Sequence, residues 1–164
     1  MLTAALVILR VLVVAVLLRI AWSDLKLQKI ANRDVLLLAA GGLGILCVSA
    51  LQRDEWMSLL GPVATSFVLF VVLLVFWLIG TLGAGDVKLM AAVPLVTGND
   101  HLLPFALFLL VFVLATVFLI RNPLLLPEKM VEKYIAVLDR KGIVPFGVPI
   151  SMALLCTIVL QAVR

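Results

Sequence analysis

The stretch Gly83-Ala84-Gly85-Asp86-Val87-Lys88-Leu89 sets a glycine-flanked acid between two strongly apolar runs, residues 59–79 and 87–96. An ionised carboxylate at bilayer depth costs roughly 2.5 kcal/mol or more, so an acid in such a place is a functional candidate by default. A second acid, Asp24, follows the first apolar run of the chain. The rest of the sequence bears on whether these two carboxyls can meet.

The 164 residues are 65% hydrophobic and only 13% charged, with a mean hydropathy of +1.32. A soluble domain of this size could not hide so much apolar surface in one core. The chain therefore reads as an integral membrane protein, with no removable signal peptide evident. Cys47 and Cys156 both lie in apolar runs without C-x-x-C spacing, which argues against a zinc site or a disulfide framework.

Six apolar runs follow one another, over residues 2–22, 35–51, 59–79, 87–96, 102–120 and 144–163. Each is measured against the roughly 20 residues a helix needs to cross a bilayer. None alternates strictly with period two, which argues against a transmembrane barrel. The expected fold class is an all-α, polytopic membrane bundle of about six transmembrane helices. The fourth run covers only about 15 Å as a helix, which fits either a helix tucked within the bundle or, as the favoured reading, a Gly83–Gly85 turn lying below the membrane surface. Such backbone is tolerated only where protein buries it or a wet cavity receives it. No internal repeat or low-complexity stretch divides the chain, and 1–164 reads as a single domain.

Basic residues collect in alternate loops. Lys26, Lys29 and Arg33 follow the first run, Lys88 follows the third, and Arg121, Lys129, Lys133, Arg140 and Lys141 follow the fifth. The opposite loops hold Arg53 beside Asp54 and Glu55, then Asn99, Asp100 and His101. The positive-inside rule places the first set in the cytoplasm and both termini on the non-cytoplasmic side. Topology and anionic lipid account for the net charge of +4, so the lipid bilayer is a partner and no nucleic acid is required. Arg10, mid-run, is expected to snorkel outward, with a buried partner as the alternative. Residues 127–141 carry Met130, Tyr134, Val137 and Leu138 at helical spacing, a pattern for a short amphipathic helix on the cytoplasmic surface.

Two crossings separate Asp24 from Asp86, so both carboxyls are expected at the same face. A pair of facing carboxyls shares one proton near neutrality, because like charges a few ångströms apart cannot both ionise. The ionised member can take a proton from water while the protonated member polarises a carbonyl, which is acid–base hydrolysis of an amide. Glycines beside Asp86 would admit positive φ and close approach of an extended peptide.

These residues carry a resemblance. Gly83 to Leu89 is similar to the G-x-G-D-x-K-L signature of type IV prepilin peptidases, intramembrane aspartyl proteases of bacterial pilus and secretion systems. Asp24-Leu-Lys-Leu-Gln-Lys-Ile-Ala-Asn32 resembles their first aspartate motif, D-x-x-x-x-x-I-P-N, and Val144-Pro-Phe-Gly-Val-Pro-Ile150 resembles the P-[FY]-G element opening the last helix. The resemblance implies Asp24 and Asp86 as catalytic residues, with Gly83, Gly85, Lys88, Asn32, Pro145 and Gly147 in support. It implies no metal and no cofactor. The implied partner is a prepilin or pseudopilin, whose leader would be removed at the cytoplasmic face of the bacterial inner membrane. The chain lacks the early insert with paired C-x-x-C motifs, so it resembles the short form found with tight-adherence (Flp-type) pili, and methyltransferase activity is not carried over. Ala31 stands where the family has proline, so a looser turn is expected before Asn32.

Plainer roles stand beside these. Asp24 could mark a helix end, and Asp86 could be the N-cap of the fourth helix. Lys88 is an interfacial anchor or tunes the Asp86 charge; Asn32 reads first as the N-cap of the second helix. Pro145 suits the first turn of the last helix, and Gly147 allows close packing near the site. Asp34 reads as a first-turn charge, and His101 stands alone. The rival functions are a proton-coupled carrier, which favours midplane acids and repeated halves, and a non-catalytic assembly subunit. Presenilin-like proteases also carry G-x-G-D, but with a tyrosine–aspartate pair that Tyr134 does not supply.

Overall fold

A computed structural model describes residues 2–121 and 146–163. Pro145 and the amphipathic helix expected over 127–141 lie outside the described residues. Six α-helices are present among those described: α1 Leu2–Leu27, α2 Asn32–Arg53, α3 Leu60–Leu78, α4 Ala84–Thr97, α5 Leu102–Arg121 and α6 Gly147–Val163. One 3-10 turn, Trp56–Leu59, precedes α3. The fold is all-α, as the apolar runs imply.

Four helical stretches are long and apolar enough to cross a membrane: Leu2–Leu27, Asn32–Arg53, Trp56–Leu78 and Leu102–Leu119. In lipid only a helix satisfies every backbone amide within its own segment, so these runs take that form. The two remaining helices are shorter, α4 with 14 residues and α6 with 17. They hold the centre. From Ala91 to Thr97 every residue of α4 is buried, and α4 packs on α2, α3, α5 and α6. The core gathers Val13, Leu17 and Ile20 of α1 with Leu38 of α2, Leu89 and Val93 of α4, and Leu154 of α6.

Lipid tails are as apolar as these side chains, so association rests on close packing and small residues. Gly42 shows how close: a β-carbon there would lie 2.8 Å from the backbone carbon and oxygen of Leu95. Ser66 Oγ donates to the Ala91 carbonyl, tying α3 to α4.

Helix ends depart from the sequence reading in specific ways. The first helix runs five residues beyond the apolar run, to Leu27, because Ser23 to Leu27 continue the turn before Gln28 breaks it at φ 48°. Asp24 is therefore inside the last turn and does not follow the helix. The break before α4 lies over residues 79–83, with Gly80 at φ 81°. Gly83 is extended (φ −72°, ψ 140°), and its carbonyl accepts from Val87 N–H, so Gly83 is the cap. The expected Gly83–Gly85 turn is thus corrected: Gly85 is already helical.

Candidate active site

Both acids continue the buried stripe of their helix. On α1 the inward residues Val13, Leu17 and Ile20 are followed, four residues on, by Asp24. On α4 the stripe Val96, Val93 and Leu89 reaches Asp86 three residues earlier. The helical period thus turns each carboxyl toward the bundle axis and away from lipid. Asp24 is 4% exposed, whereas Asp86 is half-buried. The two are close enough that the charge of Asp24 acts on Asp86.

The last helix closes over Asp24. Val148 N–H donates to Asp24 Oδ2 over 3.2 Å. The free amides of a helix N-terminus are a ready partner for a carboxylate. Gly147 makes this possible, since a β-carbon there would lie 2.7 Å from Asp24 Oδ2. Ile30 fills the gap between elements. Its side chain would meet a β-carbon on Gly85 at 3.1 Å and one on Gly147 at 3.0 Å.

Gln28 N–H folds back onto the Asp24 carbonyl at 3.0 Å, and Ser23 Oγ donates to the Lys29 carbonyl at 2.9 Å. This short return delivers Ile30 to the site. Ala31, the N-cap of α2, has φ −71° and ψ 134°, which is the angle proline would impose. The looser turn expected from its substitution is not found, because the backbone holds that shape without the ring.

Several assignments change. Asn32 is the first residue of α2, not its cap, and its Oδ1 accepts from Lys88 Nζ over 2.9 Å. Lys88 therefore bridges the two aspartate motifs. Asp86 is the third residue of α4 and not its N-cap, because Gly83 takes that position; the helix dipole still favours an acid there. The glycines serve by space and not by positive φ, since Gly83 is at −72°. A β-carbon on Gly83 would sit 2.9 Å from Asp86 Oδ2.

Asp34 is more than a first-turn charge. Its side chain is 3% exposed and pairs with Arg19 Nε at 3.4 Å, a contact that the sequence reading missed. Asp34 at the start of α2 and Arg19 late in α1 were both visible as charges, but their pairing depends on how α1 and α2 cross. Among the described residues no group of three His, Cys, Asp or Glu side chains gathers as a metal site.

The pattern of a type IV leader peptidase family model matches residues 11–120, a window that includes both aspartates together with Asn32, Gly83, Gly85 and Lys88 but ends before Pro145, Gly147 and Val148. The chain belongs to the type IV leader peptidase family. Membership makes it a membrane protease of the aspartic type, with a leader-peptidase-like function in general. No curated protein and no solved structure matched this chain.

Proposed function

We propose that this protease is an intramembrane endopeptidase that removes the leader of type IV prepilins and pseudopilins, of the Flp type, with Asp24 and Asp86 as its catalytic pair. The observation that carries the reading is the convergence of the two carboxyls, from helices 62 positions apart at Asp86 and Asp24, on one end of the bundle within electrostatic reach. In this reading the ionised carboxyl takes a proton from water, and the resulting nucleophile attacks the scissile carbonyl. The protonated carboxyl donates to the carbonyl oxygen, and the amine leaves with a proton returned from the pair. The titration belongs to the two acids jointly.

Lys26, Lys29, Arg33 and Lys88 lie at the same end as the aspartates by sequence and topology. With the positive-inside rule this supports a cytoplasmic site in the bacterial inner membrane, and both termini outside. The leader, polar and cytoplasmic, would be cut just before the apolar segment that stays in the bilayer.

The test is a prepilin mobility shift on a gel. Asp24→Asn and Asp86→Asn should each insert normally and leave the prepilin unprocessed, a loss of at least about 10²-fold. Normal processing by either variant rejects the assignment.

A further inference from the structure

A cavity of about 720 Å³, lined by polar and apolar groups alike, opens at the end of the bundle opposite the aspartates. Arg10 of α1 and Arg53 at the end of α2 line it together with Ser49, Asp100, His101 and Gln161. Arg10 precedes Asp24 by 14 residues, roughly 21 Å of helix, so this space is separate from the candidate active site.

Arg10 is the informative member. An arginine within an apolar crossing is costly and is retained where it has an anionic or polar partner. Here Arg10 is half-buried and faces the cavity. Among the described residues neither Arg10 nor Arg53 has a hydrogen-bond or ion-pair partner. Asp100 is the one carboxylate lining the space, and it makes no ion pair with either arginine. The positive charge exceeds the negative, and the neighbouring hydroxyl, amide and imidazole groups can complete the hydrogen bonding. Gln161 is already oriented, since its Nε2 donates to the Thr97 carbonyl over 2.7 Å.

We propose that this cavity binds a phosphate-bearing anion, with Arg10 and Arg53 as its cationic ligands. Guanidinium groups match phosphate oxygens in planar, paired hydrogen bonds. Basic pockets between membrane helices take anionic headgroups by the same chemistry, and the volume falls in the range of roughly 300–1,000 Å³ typical of small-ligand sites. The phosphate is carried either by an anionic lipid headgroup or by a free ion in solution.

Thermal unfolding of the full chain in a neutral detergent tests this without reference to proteolysis. The probes are phosphatidylglycerol, phosphatidylcholine and inorganic phosphate, each against sodium chloride at equal ionic strength. A saturating ligand should raise Tm by roughly 5 °C or more. A rise with phosphatidylglycerol alone assigns a lipid headgroup, and a rise with inorganic phosphate assigns the free anion. The Arg10→Gln, Arg53→Gln double variant should lose the rise, while Arg10→Lys should keep part of it. If that double variant does not fold, Arg53→Gln alone should still weaken the rise. The proposal is overturned by no rise with either probe, by equal rises with both lipids, or by a rise that survives in a folded double variant.

Discussion

Lys88 Nζ donates to Asn32 Oδ1 over 2.9 Å, joining residues 56 positions apart. Each belongs to one of the aspartate motifs, so the bond fixes the start of α4 against the start of α2. Both side chains are exposed, which limits the contribution to about 0.5–1 kcal/mol. A double-mutant cycle of Lys88→Met and Asn32→Ala, read by thermal unfolding, should return a coupling of that size. A coupling of zero would show that the contact carries no energy.

Gly147→Ala should slow leader removal while leaving the protein inserted. The added β-carbon would sit 2.7 Å from Asp24 Oδ2 and 2.8 Å from its Cγ, so the carboxyl must turn away and lose Val148 N–H. A displacement near 1 Å costs about 10²-fold in rate. Processing of a prepilin over time measures it, and a wild-type rate would refute the geometry.

Gly42→Ala and Gly44→Ala form a matched pair. At Gly42 the new methyl meets Leu95 backbone, which cannot yield without separating α2 from α4, and a loss of about 1–3 kcal/mol is expected. At Gly44 the nearest atom is a terminal methyl of Leu9 at 3.3 Å. That side chain can shift, and alanine favours the helix by about 0.5–1 kcal/mol. Gly44→Ala should therefore be neutral or stabilising, and equal losses in unfolding experiments would contradict this packing.

Ala31→Pro should stabilise the chain by about 0.4–1 kcal/mol, chiefly by restricting the unfolded state. The φ of −71° already suits the ring, and among the described backbone hydrogen bonds Ala31 N–H is not a donor. A fall in Tm would mean that the turn is held by something the ring disrupts.

The six apolar runs were legible because burial and membrane depth both write themselves into composition. The placement of Asp24 and Asp86 on inward stripes was also present in the spacing from Ile20 and Leu89, although helix period alone names no partner. What the sequence withheld were the crossings: Val148 on Asp24 spans 124 positions, and Arg19 on Asp34 depends on where α1 meets α2. Local end chemistry misled for a related reason. Asn32 and Asp86 have the side chains of good N-caps, but Ala31 and Gly83 take those positions with extended backbone and no capping side chain. The polar side chains were left free for other contacts.

The enclosure of α4 by its neighbours releases that helix from the length rule that α1, α2, α3 and α5 obey. A rod with no acyl chains along its buried half has no need to match the thickness of the oil around it. It can stop short, and its 14 residues do.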